Sequence, residues 1–292
     1  MRKKKIKLKL GSYLAGLIEA DGSFAIHDKN SKAKRYLPKV LIVFSLNDHP
    51  LAEKLVSITN IGKLYNKQKQ GCIIWHIQSI NDVIKLINLI NGYMRTPKIE
   101  ALHRAIKWFN DNYQTNIEPL DLDLSPINSN AWLAGFSDGD GNFSINLINR
   151  KKRGIVTSKR VQAFFRIELR QNYHRHSSEG TSYFNILSTI ARYFNVNVYS
   201  RSREQKDKIF YSYMVVSHNM ESHTKVIEYF DCYPLYSSKY LAYKDWKYVV
   251  EQIKLRDGKP LTIDNILEIE KIKAQFNRKR IEFDFSHLDS II

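Results

Sequence analysis

Apolar and polar residues follow one another in the same order twice along the chain. Each half begins with a helix of small and aliphatic residues and continues through two alternating strands, a helix, two more alternating strands and further helix. Alternation with a period of two predicts strands, whereas apolar residues spaced three and four apart predict helices that bury one face. The strands are predicted at residues 24–27, 40–46, 62–67 and 72–78 in the first half and at 143–146, 161–170, 196–203 and 209–216 in the second.

This order predicts an α+β fold of two αββαββα halves that are related by a pseudo-two-fold axis. Residues 1–110 are predicted to form the N-terminal half and residues 131–254 the C-terminal half. The segment 111–130 carries two prolines without clear periodicity, so it is predicted to be a linker. Residues 255–292 have no counterpart in the first half and are predicted to form a C-terminal helical extension with a tail.

A nine-residue stretch of one type opens each half, at residues 14–22 and 133–141. Its glycine and alanine positions give each predicted helix a shallow face, so that two such helices can approach more closely than the usual distance of about 8–10 Å. Gly22 and Gly141 are predicted to end the helices as left-handed caps. If the two helices pack side by side and in parallel, their C-terminal ends meet.

An aspartate precedes the last glycine of each stretch, Asp21 in the first and Asp140 in the second. A carboxylate there faces the negative end of the helix dipole, which costs up to about 1 kcal/mol. Two neighbouring carboxylates also repel each other unless a metal or a proton neutralises them. Oxygen ligands with room for water suit Mg²⁺, and paired metals are a recurrent device for phosphodiester hydrolysis. The alternative is an ordinary pair of core helices.

At these residues the sequence resembles the LAGLIDADG homing endonuclease family in its monomeric, two-repeat form. The resemblance implies that the antiparallel sheets form a DNA-binding saddle and that one chain, acting as its own dimer, makes a site-specific double-strand break in a long, partly asymmetric target. It also implies an intron-encoded protein in an organelle, foremost the mitochondrion. The partner would be double-stranded DNA.

The resemblance further implies a metal-dependent active site. Asp21 and Asp140 would be catalytic and would bind Mg²⁺ together with Ala20 and Gly139. Mn²⁺ would substitute for Mg²⁺, whereas Ca²⁺ would bind without supporting cleavage. The acids at the sixth motif position, Glu19 and Asp138, would not be catalytic.

Two lysines occupy matching places in the halves, each at the start of a predicted helix. The resemblance implies that Lys98 and Lys239 are catalytic and lie near the scissile phosphates, where an ammonium group stabilises phosphoryl charge. A solvated lysine at a helix start is the alternative. A polar residue after the second strand is expected to order water, and the candidates are Asn47 or Asp48 in the first half and Arg170 or Gln171 in the second.

The charge of the chain indicates a polyanionic partner. There are 46 Lys and Arg residues against 29 Asp and Glu residues, a formal net charge of +17. A membrane surface could attract the same charge, but the sequence contains no apolar run that could cross a bilayer. Cys72 and Cys232 lie far apart, which argues against a disulfide framework and against a zinc site.

The outer face of each predicted sheet carries polar, basic and aromatic residues at alternate positions. A β-ribbon fits the major groove of DNA, where such side chains reach base edges. A solvated sheet face is the alternative, and a register error of one residue would exchange the two faces. The predicted DNA-binding residues are Ser23, Ala25, His27, Lys29, Lys63, Tyr65, Lys67, His76, Gln78, Asn142, Ser144, Asn146, Tyr199, Arg201, Arg203, Tyr211 and Tyr213.

Two other functions stay open at this point. The family to which the resemblance points contains RNA-splicing maturases, so intron RNA is an alternative or additional partner. A DNA-binding protein that does not cleave could also use this scaffold. Loss of one motif aspartate would favour that function, and neither aspartate is lost here.

Overall fold

The computed structural model describes residues 2–26, 37–153, 155–174, 181–205 and 207–291. Two of the predicted DNA-binding residues, His27 and Lys29, lie outside this part of the chain. In the first half the elements are α1 (Arg2–Asp21), β1 (Gly22–Ala25), β2 (Lys39–Ser45), α2 (His49–Thr59), β3 (Lys63–Lys67), β4 (Cys72–Ile77), α3 (Ile80–Ile90) and α4 (Ile99–Tyr113).

The second half repeats this order and adds a helix at its end. Its elements are α5 (Trp132–Asp140), β5 (Gly141–Lys152), β6 (Ile155–Arg170), α6 (Phe184–Phe194), β7 (Val198–Gln205), β8 (Lys208–Ser217), α7 (Met220–Cys232) and α8 (Lys239–Leu255), followed by α9 (Ile263–Ala274). The predicted α+β fold of two αββαββα halves is therefore confirmed.

Each half contains one four-stranded antiparallel sheet of the same topology. The strand orders are β1-β2-β4-β3 and β5-β6-β8-β7. Alternate residues of each inner strand are buried under helices, as Ile73, Trp75 and Ile77 are in β4. Within the described residues, the buried apolar positions of each sheet lie on one face, and α6, α7 and α8 pack against that face of the second sheet. We call the other face of each sheet its open face.

The helices cover the sheets because their apolar residues recur at helical spacing. In α3 the buried positions are Val83, Leu86, Ile87 and Ile90, which form one stripe. The apolar side chains of both halves join in one continuous core. This core fixes the position of the motif helices, which lie between the sheets and contact each other more extensively than any other pair of helices.

The segment between the halves is held to the first half by polar contacts. The Arg95 guanidinium donates to the Asp123 carboxylate at 2.7 Å and to the Ser125 carbonyl at 2.7 Å. The Asp123 peptide N–H donates to the Met94 carbonyl at 2.8 Å. Helix α4 extends to Tyr113, three residues beyond the predicted end of the N-terminal half at residue 110.

The prediction that Gly22 and Gly141 form left-handed caps is wrong. Gly141 has φ −75° and ψ 149°, and Gly22 is not among the residues of the described chain with positive φ. Each helix instead passes directly into a strand, which brings the glycine against the preceding turn. A Cβ atom on Gly22 would lie 2.7 Å from the Ile18 Cα atom, and one on Gly141 would lie 2.7 Å from the Ser137 carbonyl oxygen. These glycines are needed for space.

Candidate active site and open sheet faces

Helices α1 and α5 pack in parallel with their backbones in close contact. A Cβ atom on Gly16 would overlap the Trp132 carbonyl and lie 2.7 Å from the Phe136 nitrogen. A Cβ atom on Gly135 would overlap the Tyr13 carbonyl in the same way. The contacts advance along both helices in the same direction, which makes the pair parallel. The predicted packing of the two motif helices is therefore present, and we call this contact the helix seam.

The seam brings the two motif aspartates to the same end of the helix pair. A Cβ atom on Gly139 would lie 3.0 Å from the Asp21 Oδ2 atom, so the first aspartate reaches across to the second motif. Burial raises the pKa of Asp140 to about 6, and the charge of Asp21 is the second cause. Burial also raises the pKa of Asp21, while Lys239 and Lys98 oppose this change. The predicted pair of neighbouring, partly desolvated carboxylates exists.

Two cavities open beside the aspartates, one on each side of the seam. Asp21 lines the first together with Lys239 and Gly139, and Asp140 lines the second together with Lys98 and Ala20. Each cavity thus combines the aspartate of one half with the lysine of the other half. The carboxylates of Asp21 and Asp140 offer oxygen ligands at these cavities, and oxygen is the ligand atom that Mg²⁺ prefers. The residues present therefore fit a divalent cation.

The two lysines bind the carbonyl ends of the motif helices. Lys98 Nζ donates to the carbonyls of Glu19 at 2.6 Å and Gly22 at 3.0 Å. Lys239 Nζ donates to the carbonyls of Ser137, at 3.2 Å, and Gly139. Terminal helix carbonyls lack partners within the helix, and a cation there offsets the negative end of the dipole. Burial lowers the pKa of both lysines, and the neighbouring acids counteract this effect.

The acids at the sixth motif position anchor the turns that carry these lysines. Glu19 accepts hydrogen bonds from the peptide N–H groups of Arg95, at 3.0 Å, and Thr96, at 2.6 Å, and from the Trp132 indole at 2.5 Å. Thr96 is two residues before Lys98. Both carboxylate oxygens of Glu19 are used, and the side chain is buried. This acid is therefore a buried structural anchor.

Asp138 has the same arrangement in the second half. It accepts from the peptide N–H groups of Tyr236, at 2.9 Å, and Ser237, at 3.2 Å, and from the Tyr13 hydroxyl at 2.7 Å. The turn 236–237 leads directly to Lys239. Burial raises the pKa of Asp138 to about 6, although the hydrogen bonds favour its ionised form. Each motif thus fixes the lysine of its own half through one buried acid.

The polar residues after the second strand differ between the halves. Asn47 and Asp48 both line the Asp21 cavity, whereas Arg170 alone of the two second-half candidates lines the Asp140 cavity. Gln171 instead donates to the Ser200 hydroxyl at 2.8 Å. These positions agree with three of the four candidates, and which of them acts on water stays a prediction.

Asp48 joins the two halves beside the Asp21 cavity. Its Oδ1 atom accepts from the Ser238 peptide N–H at 2.6 Å and its Oδ2 atom from the Ser45 hydroxyl at 2.6 Å. Asp48 stands at the N-cap position of α2, but its side chain makes no capping hydrogen bond to that helix.

The open face of the first sheet carries most of the residues predicted for it. Strand register defines this face, because directly opposite residues of antiparallel strands point to the same side. Lys63 is opposite His76, and Tyr65 is opposite Ile74. The rings of Tyr65 and His76 lie 5.5 Å apart. The open-face residues that were predicted are Ser23, Ala25, Lys63, Tyr65, Lys67 and His76, and the exposed Gln78 directly follows β4.

The open face of the second sheet confirms the predicted register for β5 and β7 but not for β8. Tyr213 is opposite Ser200 on the face that packs on α6, and its ring lies 5.4 Å from the ring of Phe184. Tyr211 has the same parity, so placing these two tyrosines on the open face was wrong. The predicted residues that do lie on this face are Asn142, Ser144, Asn146, Tyr199, Arg201 and Arg203.

The sequence analysis missed strand β6 as a source of open-face residues. Its polar residues alternate with buried Val161, Ala163, Phe165, Ile167 and Leu169, and this alternation was a sufficient signal. The open-face residues missed in the second sheet include Arg160, Gln162, Phe164, Arg166, Glu168 and Arg170 of β6, Phe210, Ser212, Met214 and Val216 of β8, and Ile148 of β5.

The geometry defines a class: a single chain of two α+β repeats joined by parallel motif helices, with paired acids at the seam and two open sheet faces. Residues 14–109 and 133–250 both match the family model described as LAGLIDADG endonuclease. The chain belongs to the LAGLIDADG endonuclease family.

Three relatives illustrate the range of this similarity. The chain is 41% identical to the intron-encoded DNA endonuclease aI3 of Saccharomyces cerevisiae, over 96% of this chain and 72% of the relative. It is 27% identical to the intron-encoded RNA maturase bI4 of the same organism, over 70% of this chain and 29% of the relative. The crystal structure of the LAGLIDADG homing endonuclease I-GzeII in complex with its DNA target has the same fold, with 20% identity, a TM-score of 0.66 and coverage of 93% of this chain and 99% of that one.

No helix of the described chain is long and apolar enough to cross a membrane.

Proposed function

We propose that this protein is an intron-encoded endonuclease that makes a double-strand break in a long, partly asymmetric DNA target. The observation that carries the proposal is the helix seam, where Asp21 and Asp140 each share a cavity with the lysine of the opposite half. Similarity to the intron-encoded DNA endonuclease aI3 supports it. One chain supplies both sites, so it acts as a monomer, and an intron-encoded relative supports an organellar, mitochondrial location.

The acids of the seam would hold the catalytic cation. Asp21 and Asp140 supply carboxylate oxygens, and the carbonyls of Ala20 and Gly139 lie beside them. Lys239 donates to the Gly139 carbonyl and Lys98 to the Ala20 carbonyl, and each carbonyl oxygen has a second lone pair with which it would bind a cation. Mg²⁺, or Mn²⁺ in its place, would supply Lewis-acid chemistry for phosphodiester hydrolysis when bound, whereas Ca²⁺ would support binding alone.

The lysines and the surrounding core complete the site. The Lys98 and Lys239 ammonium groups are held by helix carbonyls and turned towards the cavities that the aspartates line, where they would stabilise charge on a phosphoryl group. Partial burial makes this stabilisation stronger than it would be in water. Hydrolysis at the two sites would leave 5′-phosphate and 3′-hydroxyl ends.

The open sheet faces would bind the duplex. Both carry basic and aromatic residues in register, and the net charge of +17 favours contact with phosphates. Two related but chemically different faces would read a target that is only partly symmetric. Affinity for DNA would therefore fall steeply with salt, and a flat salt response would contradict this use of the sheets.

RNA splicing is the second candidate function, because the chain is similar to the RNA maturase bI4. One experiment separates the candidates. The protein is incubated with a randomised duplex library in Mg²⁺ and, in parallel, in Ca²⁺. Its binding to a set of folded intron RNAs is measured separately. Mg²⁺-dependent cutting at one long sequence supports the endonuclease. Tight selection of a duplex without cutting supports a DNA-binding regulator, and RNA binding without duplex selection supports the maturase.

A further inference from the structure

A single acidic side chain lies on the open face of the second sheet, among the side chains that the structure describes there. This residue, Glu168 in β6, is surrounded by Arg166, Arg170, Arg201 and Arg203. A carboxylate on a face that binds DNA repels the phosphates, so its presence needs a reason. Its side chain is only 16% exposed, which shows that it is built into the sheet and does not extend into solvent.

Glu168 joins three donors from two other strands. Its Oε2 atom accepts from Arg201 Nη1 at 3.1 Å, and its Oε1 atom accepts from Arg203 Nη2 at 3.2 Å. The Ser212 hydroxyl donates to Oε1 at 2.8 Å. We call these four side chains the Glu168 clamp. They reach across β8 from β6 to β7, because Arg201 is opposite Ser212 in the β7–β8 register.

The clamp restricts the conformations of the two arginines but leaves most of their hydrogen-bond donors available. Each guanidinium donates one hydrogen bond to Glu168 and keeps most of its N–H donors for other partners. Arg201 is 38% exposed and Arg203 is 63% exposed, so both remain accessible from the open face. A long side chain that is already ordered loses less conformational freedom on binding, and a fixed guanidinium plane suits bidentate contact with the edge of a guanine.

The fold itself does not require this acid. Ile42 is opposite Gly22 and Ile167 is opposite Gly141, so the next residues, Val43 and Glu168, occupy equivalent places. Val43 is 44% exposed and carries no charge. The first half therefore forms the same sheet without an acid, and the clamp is a feature of the second half alone.

We propose that Glu168 is a specificity-determining positioning residue that fixes Arg201 and Arg203 for contact with base edges and weakens binding of this face to the phosphates of other DNA. This inference rests on the proposed function, since it assumes a duplex on the open faces. It predicts that removing the negative charge raises affinity for arbitrary DNA while lowering affinity for the target.

The test compares Glu168→Gln with a matched control, Glu204→Gln. Glu204 is on β7, opposite Ile209, and its parity places it on the other face of the same hairpin, so the control removes the same charge without touching the clamp. Affinities are measured in Ca²⁺ by fluorescence anisotropy for two probes, a duplex that the wild type has selected from a randomised library and a duplex of random sequence. The readout is the specificity ratio, which is the dissociation constant for the random duplex divided by that for the selected duplex.

We expect Glu168→Gln to lower this ratio about tenfold, in the range of one lost bidentate base contact. Glu204→Gln should leave the ratio unchanged within about twofold, because a charge at a distance acts on both probes alike. The double variant Arg201→Lys/Arg203→Lys keeps the positive charge and loses the planar guanidinium groups, so it should lower the ratio to a similar extent. In that background Glu168→Gln should have little further effect.

Three results would overturn the inference. A ratio in Glu168→Gln equal to that of the wild type shows that Glu168 does not determine specificity. If Glu168→Gln lowers the ratio as much in the Arg201→Lys/Arg203→Lys background as in the wild type, Glu168 does not act through the arginines. If Glu168→Gln does not fold, a wild-type ratio in Arg201→Lys/Arg203→Lys overturns the inference, because the guanidinium groups then do not determine specificity. A wild-type chain that selects no duplex defeats the proposed function itself, which distinguishes that failure from the other three.

Discussion

Replacement of Gly16 or Gly135 by alanine should separate the motif helices and destabilise the chain. The new Cβ atom on Gly16 would overlap the Trp132 carbonyl and lie 2.7 Å from the Phe136 nitrogen, and both groups belong to the backbone. Because carbon contacts are normally near 3.5 Å, the helices would have to move apart by about 1 Å. A flexible side chain could turn away from such a clash, but a helix backbone cannot.

The cost follows from two opposing effects. Overpacking of a close-packed core costs about 1–3 kcal/mol, and the upper end applies where only backbone atoms can yield. Alanine gains about 1 kcal/mol over glycine in a helix interior. Each variant should therefore lose about 2 kcal/mol of unfolding free energy. The double variant Gly16→Ala/Gly135→Ala should lose less than the sum, since one separation of the helices relieves both clashes.

The assay is urea unfolding followed by tryptophan fluorescence, together with double-strand cleavage of a selected duplex. Gly71→Ala is the control, because a Cβ atom there meets nothing within 4 Å and only the backbone strain of φ +68° remains. The control should lose about 1 kcal/mol and keep its cleavage activity. Losses below about 0.5 kcal/mol in the seam variants, or strict additivity, would refute the close packing of the seam.

Three further predictions concern the acids and lysines at the seam. Asp138→Asn should lower the free energy of unfolding, measured in urea, by about 2–4 kcal/mol, because the amide NH₂ group would face the peptide N–H donors of residues 236–237. A loss below about 1 kcal/mol would contradict the anchoring role. Lys98→Ala should slow cleavage at saturating DNA more than it weakens binding in Ca²⁺, whereas equal losses would make Lys98 a phosphate anchor only. The pKa of Asp140 is raised from 3.8 to about 6, so its contribution to the stability of the chain without added cation is present below 3.8 and is lost as pH rises through about 6. Since this proton competes with a cation, Ca²⁺ affinity measured by calorimetry should rise between about pH 5 and about pH 7 and then level off, and an affinity independent of pH would contradict the position of Asp140 at the metal site.

The features that were predictable from the sequence are those with a local pattern. The motif helices and their seam follow from the small residues, and the register of β3, β4, β5 and β7 follows from alternation. The predicted register of β8 was wrong because Ile209, Phe210 and Tyr211 are all apolar or aromatic, and at the exposed tip of the hairpin neither face is buried. Without a buried face, period-two patterning does not fix which side a residue occupies.

Other features depend on contacts between distant residues and leave no local pattern. Lys98 binds the end of a helix about 80 residues earlier in the chain, and Asp48 accepts from Ser238 across 190 residues. The exchange of partners across the seam, with each aspartate beside the lysine of the other half, arises from the pairing of the two halves. The packing role of Gly22 also depends on the direct passage of a helix into a strand.

The measurement that tests the central claim most directly is cleavage of each strand of a selected duplex by Asp21→Asn and by Asp140→Asn. Both strands carry separate labels, Mg²⁺ is present, and binding is measured in Ca²⁺ in parallel. If the two aspartates form one paired active centre, each variant binds the duplex nearly as well as the wild type and makes no double-strand break. A variant that still cuts both strands at the wild-type rate would contradict the account.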